Sequence, residues 1–183
     1  MDRQLIVRAQ QGDERAFADL TSAIGGRLDR AAYGILRDRD QAEDAMQAAL
    51  VRIWRKLPTL RDPERFDAWS YKLLVHACYA EVKRSRRSLA ADFDDIPRPD
   101  ELGAILDRDE LERAFRRLTL DQRTVLVLRH YLDLAPETVA EAIGIPVGTV
   151  HSRVHRALEA MRASLEADAR PARVDATLNG GTP

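Results

Sequence analysis

The chain has 183 residues, 45% hydrophobic and 32% charged, with a formal net charge of −1, enough for one medium domain or two small ones with packed cores. No apolar run approaches the roughly 20 residues of a membrane span, and the opening MDRQLIVRAQQGDERAF lacks the apolar core and cleavage site of a secretory signal. The single cysteine, Cys78, excludes an internal disulfide and reads as a small buried hydrophobe; a soluble, cytoplasmic protein without membrane insertion is expected.

The near-zero charge conceals a division. Residues 1–87 carry 17 Lys and Arg against 13 Asp and Glu, residues 88–112 carry 2 against 9, and residues 113–165 carry 8 against 5. Two mildly basic blocks flank an acidic strip, a layout that suits two surfaces facing a polyanion and a connector that avoids it; a solvated linker in an Arg-rich chain has the same composition.

Helical spacing runs from end to end, and no segment shows the strict alternation of a half-buried strand. The fold class expected is all-α: two small helical domains joined by an acidic flexible linker, the second containing a helix-turn-helix. A first helix spans about Arg3–Gln11, with Leu5, Ile6 and Ala9 inward, and Gly12-Asp13 breaks it. Asp13 caps the next helix, in which Ala16, Phe17, Leu20 and Ile24 repeat at three to four. Gly25-Gly26 is expected to interrupt or kink that pattern before Leu28, Ala32, Ile35 and Leu36 resume it.

After the polar turn Asp38-Arg39-Asp40, Gln41 to about Leu57 forms a strongly amphipathic helix. Ala42, Ala45, Met46, Ala49, Leu50, Ile53 and Leu57 make its buried stripe, and Glu43, Asp44, Gln47, Arg52, Arg55 and Lys56 lie outside. Pro58 ends it. The loop TLRDPERF leads into a helix over about Asp67–Arg87 that mixes Trp69, Tyr71 and Lys72 and closes on Lys83, Arg84, Arg86 and Arg87. Rings and cations together suit single-stranded nucleic acid; aromatics at this spacing equally form core, and cations in a last turn complement the helix dipole.

Residues 88–109 hold two prolines and most of the acidic excess and read as a flexible linker. The second block, 110–167, opens with Leu111, Ala114, Phe115 and Leu118 facing inward. Thr119 or Asp121 then caps a helix to about Tyr131. Pro136 suits the first turn of a short helix, Gly144 suits the left-handed residue that ends it, and a new helix begins at Val147. There Val150, Val154, Leu158, Met161 and Leu165 form the apolar stripe, and Thr149, His151, Ser152, His155 and Arg156 are left on a polar, partly cationic side. Short helix, glycine turn and longer helix with donors near its start make the helix-turn-helix pattern, whose second helix enters the major groove; an ordinary helical hairpin has the same spacing. Residues 168–183 carry no core-sized apolar set and are expected to be disordered.

No glycine-rich phosphate loop, paired-cysteine motif or nucleophile triad is present. His151 and His155 have the i, i+4 spacing of some zinc sites, but no Glu follows His151 as in the metalloproteases. No catalytic residue, metal or cofactor is expected.

The order of these segments resembles the bacterial RNA polymerase sigma factors of the extracytoplasmic-function group of the sigma-70 family, over roughly residues 5–165. The resemblance is carried by GDERAF (12–17), AEDAMQAALVRIWRKL (42–57), FDAWSYKLL (66–74) and the segment from Leu118 to Arg162, above all PVGTVHSRVHRA. It implies an alternative sigma factor that binds core RNA polymerase and promoter DNA. Asp44, Gln47 and Arg52 would dock on the clamp helices of the largest polymerase subunit. Trp69, Lys72 and His76, with Lys83 and Arg84, would hold the melted minus-10 strand. Thr149, His151, Ser152, Arg153, His155 and Arg156 would read the minus-35 element. An anti-sigma factor or similar regulator is a further expected partner. Ala48, Lys72, His76, His151 and His155 depart from the residues common in the family. A helix-turn-helix regulator whose first block senses a ligand or partner is the alternative reading.

Overall fold

The computed structural model describes residues 2–91 and 106–168, and every regular element among them is helical. The order is α1 (Arg3–Gln10), α2 (Glu14–Leu36), α3 (Arg39–Lys56), two short 3₁₀ turns at Leu57–Thr59 and Pro63–Arg65, and α4 (Phe66–Ala91). There follow α5 (Leu106–Arg116), α6 (Leu120–Leu126) with a π-helical turn at Val127–Tyr131, α7 (Pro136–Ile143) and α8 (Val147–Asp168). The linker expected at 88–109 lies outside the described residues except at its ends, where α4 continues to Ala91 and α5 begins at Leu106. The tail expected to be disordered lies outside them too, apart from Asp168, which ends α8.

Aspartates start the first three helices. The carboxylates of Asp2, Asp13 and Asp38 accept from the amides of Gln4, Ala16 and Gln41, each at 2.9 Å, satisfying donors that have no partner within the helix. Thr119 and Gln122 form a reciprocal capping box at α6. Gly25-Gly26 does not break its helix: α2 runs unbroken through both. Buried Leu20 and Ile24 on one side and Leu28, Ala31 and Ala32 on the other hold the same stripe against the core, and that burial outweighs the roughly 1 kcal/mol by which each glycine disfavours a helix.

The first block is built on Ile6, Leu20, Ile24, Leu28, Ile35, Ile53, Leu57, Phe66 and Leu74, all 0–1% exposed. Ala42, Ala45 and Ala49 on α3 are buried as well, small residues that let α3 lie close to α2 and α4. Cys78 is buried in this core, and burial pushes its thiol up to about 12, which keeps it inert. In the second block Ala114 is buried, and Leu118, Val125, Leu126 and Ala157 form a buried cluster with Phe115, Val154, Leu158 and Met161 packed around them.

The blocks are not separate bodies. Val127, Leu128, Val139, Ala140, Ala142 and Val150 belong to the same continuous core as the first block's residues. Helix α7 lies along α4, and α6 with its π turn lies on α2.

Candidate nucleic-acid interface

The corner between α7 and α8 forms as its residues dictate. Pro136 occupies the first turn of α7. Gly144 adopts φ 72° at its C-cap and donates its amide to Ala140 O at 2.9 Å, a conformation that strains any residue with a Cβ. At the start of α8 the amides of Thr149 and Val150 donate to the Pro146 carbonyl. Val139 and Ala142 of α7 and Val150 of α8 are buried, so the two helices meet through small apolar side chains.

Beyond that seam α8 presents His151, Ser152, His155 and Arg156 to solvent, with Thr149 half-buried at their edge. Ser152 Oγ donates to Thr149 O at 3.0 Å, and Arg156 Nε donates to Ser152 O at 3.2 Å. His155 Nε2 lies 3.2 Å from a Glu159 oxygen. The face therefore offers hydroxyl, imidazole and guanidinium groups within two turns, the types that pair with base edges and phosphates in a major groove. Arg153 is placed differently. It is half-buried, and its Nη1 lies 3.3 Å from Asp121 Oδ2 of α6, so it sits on the flank of α8 turned toward its neighbours rather than with the other four.

On α4 the spacing of Trp69, Lys72, His76 and Lys83 sets them along one side. Lys72, His76 and Lys83 are exposed and Trp69 is half-buried, its ring centroid 6.0 Å from that of buried Phe66. His76 lies close enough to Lys72, Arg52 and Lys56 that, after burial, their charges are what lower its pKa. Both effects favour its neutral form, which has one donor and one acceptor nitrogen. Arg52, assigned with Asp44 and Gln47 in the sequence, thus joins the cationic group on the α4 side of α3. Arg84 is held by Glu81 at 2.7 Å and also pairs with Asp44, so the cation assigned to DNA and the carboxylate assigned to polymerase meet in one ion pair. Both are well exposed, and such a pair contributes little to stability.

The outer face of α3 carries two residues that sequence reasoning passed over. Val51 and Trp54 are 49% and 41% exposed and follow Asp44 and Gln47 at steps of four and three, on the same face. Trp54 packs edge-on against Phe17, centroids 4.5 Å apart. Two large apolar residues opposite the buried stripe were the available signal.

The chain matches the family model described as Sigma-70 region 2 over residues 11–88 and that described as Sigma-70, region 4 over residues 108–161. It is 32% identical over 184 residues to the RNA polymerase sigma-H factor of Pseudomonas aeruginosa, covering 90% of this chain and 94% of that protein. It is also 30% identical over 159 residues to the RNA polymerase sigma-E factor of Streptomyces antibioticus, covering 85% of this chain and 88% of that protein. Among solved structures, CnrH in complex with the cytosolic domain of CnrY superposes with a TM-score of 0.68 at 26% identity, covering 92% of this chain and 99% of that one. The sigma factor RpoE of Bartonella quintana, in complex with the anti-sigma factor NepR, shares the fold at a TM-score of 0.67 and 24% identity, covering 83% and 98%. With both family regions in order and relatives aligned over nearly their whole length, the chain belongs to the sigma-70 family of bacterial RNA polymerase sigma factors, in its extracytoplasmic-function group, and acts as an alternative sigma factor that directs promoter recognition and transcription initiation.

Proposed function

We propose the following division of labour. The exposed face of α8, with His151, Ser152, His155 and Arg156 and the Thr149 edge, reads the minus-35 element. The cationic side of α4, with Trp69, Lys72, His76 and Lys83 and joined by Arg52 of α3, holds the melted minus-10 strand. The outer face of α3, with Asp44, Gln47, Val51 and Trp54, docks on the polymerase clamp. The observation that carries this reading is the change of character around the exposed side of α3: Arg52 lies beside His76, Asp44, Gln47 and Val51 border with Arg52 a groove against α4, and Trp54 stands at the far edge against Phe17. Residues 1–87 form the first functional unit and 110–167 the second, with the acidic segment 88–109 strung between them and 168–183 as a tail. The chain catalyses no bond chemistry of its own; capture of unpaired bases drives melting, and the polymerase makes the RNA. It works in the cytoplasm. No described helix is long and apolar enough to cross a membrane. A protein regulator of the anti-sigma kind, as NepR is to its Bartonella partner, restrains it.

Two substitutions separate these roles. Trp54→Ala is expected to weaken binding to core polymerase about tenfold, as loss of an aromatic anchor at an interface does, while the affinity of the assembled holoenzyme for a minus-35 duplex stays unchanged. Titration of labelled chain with core polymerase reads the first effect and gel shift of holoenzyme the second; unchanged polymerase affinity would remove Trp54 from the docking face. At Gly148 a Cβ meets nothing within 4 Å, so nothing in the fold requires glycine there. Gly148→Ala is expected to leave stability unchanged or raise it by up to about 1 kcal/mol, read as a level or higher melting temperature. It should nevertheless lower transcription, because the helix start is where backbone amides approach a phosphate. Full activity in this variant would place the DNA backbone elsewhere.

A further inference from the structure

Lys83 and Arg84 are neighbours on the exposed side of α4, yet the two cations are placed differently. Lys83 has no ion-pair or hydrogen-bond partner among the described residues. Arg84 is committed on two sides. Its Nε donates to Glu81 Oε2 at 3.0 Å and its Nη2 to Glu81 Oε1 at 2.7 Å, a side-on, two-point grip that fixes the plane of the guanidinium. The same Nη2 also donates to Asp44 Oδ2 of α3. The Glu81 side chain is 11% exposed, against 67% for Arg84 and 53% for Asp44. One end of this bridge is therefore a carboxylate with little room to move, and the other is an exposed one.

The bridge crosses a groove of about 480 Å³ between α3 and α4, bordered by Ala45, Ala48, Ala77 and Ala80. Alanine at these four positions leaves the space open for Arg84 to lie across it. Arg52, which also borders the groove, lies toward His76 and belongs to the cationic side. Within the bridge two carboxylates share one guanidinium, so the cluster is net negative and offers a phosphate no attraction. At its exposed end Asp44 accepts from Arg84 through Oδ2 alone, and Oδ1 has no partner among the described residues. An exposed aspartate samples several rotamers, and a partner that uses it must first order it. Arg84 does that ordering in advance and leaves one oxygen available.

We propose that Arg84 is a positioning residue for polymerase docking and not a contact to the melted strand. Anchored on Glu81, it holds Asp44 in the orientation in which the free oxygen accepts from a basic or amide side chain of the polymerase. The docking surface thereby extends from α3 across the groove to α4. The inference rests on the assignment of Asp44 to docking, and its test separates the two.

Core polymerase is titrated into the labelled full chain, and promoter opening is followed separately, by permanganate reactivity of unpaired thymines, with every chain saturated with polymerase. Asp44→Ala is expected to weaken polymerase binding about tenfold and Arg84→Ala about fivefold. The double variant binds no more weakly than Asp44→Ala alone, because Arg84 acts through Asp44 and the two losses do not add. Once saturated, Arg84→Ala opens the promoter as the parent does, whereas Lys83→Ala, which removes an unpaired cation, opens it about threefold less. Three results overturn the positioning role: unchanged affinity in Arg84→Ala beside a weakened Asp44→Ala, a double variant weakened by the product of the two losses, or reduced opening by saturated Arg84→Ala. If Asp44→Ala binds polymerase as the parent does, the docking assignment itself fails and takes the positioning role with it.

Discussion

Arg156→Glu is expected to reduce transcription from a cognate promoter by about 10²-fold while leaving affinity for core polymerase within about twofold of the parent. Arg156 stands on the solvent side of α8, away from α3, and its one described hydrogen bond is to the Ser152 carbonyl of its own helix. Reversing its charge therefore disturbs no packing. At the DNA the change removes a contact worth about 1–3 kcal/mol and places a carboxylate against phosphates, so the two losses compound. Arg153→Glu is the informative comparison. It breaks the pairing with Asp121 and so loosens the Tyr79–Asp121–Arg153 chain between α4, α6 and α8, and a fall in its activity would report the junction of the blocks as well as the DNA. A parallel loss of polymerase affinity in Arg156→Glu would contradict the separation of faces.

Phe66→Ala is expected to destabilise the chain by about 3–5 kcal/mol, a large part of the 5–15 kcal/mol typical of a domain, visible as a lower midpoint in urea. Phe66 opens α4, is fully buried and lies under Trp69. Its removal also frees the Trp69 ring, so promoter melting should fall further than the folded fraction explains. Phe66→Leu keeps most of the volume and is expected to lose less than about 1.5 kcal/mol. Equal losses in the two variants would mean that the site depends on overall stability and not on the ring beneath Trp69.

What the residues disclosed in advance was local. The corner at Gly144 and Pro146 was legible because left-handed backbone and a missing N–H leave few alternatives, and the solvent-facing side of α8 because it is simply the side its apolar stripe leaves free. The glycine pair in α2 misled because propensity is a weak term: Gly25-Gly26 sits inside a stripe whose burial outweighs it. The pairing of Arg153 with Asp121 was not legible because Arg153 lies at the border between stripe and polar face, where spacing does not decide which neighbour it meets. Val51 and Trp54 were hidden in a helix whose inner stripe was already complete. The junction of the two blocks was illegible for a deeper reason. Val127, Leu128, Val139 and Ala140 are buried, but periodicity identifies an inward face without naming the surface it meets. Arg37 and Arg123 carry no motif that would single them out in an Arg-rich chain; only the fold brings them together, where burial and then the charge of Arg37 lower the pKa of Arg123.

The central claim is that this chain carries core polymerase to a promoter defined by two separated elements, and run-off transcription with purified chain and core polymerase on a library of promoter fragments tests it most directly. The account predicts transcripts that depend on the chain and start a fixed distance downstream of one shared pair of elements about 25 base pairs apart. Transcripts no more frequent than with core polymerase alone, from a chain that by itself binds an intact duplex site, would contradict it.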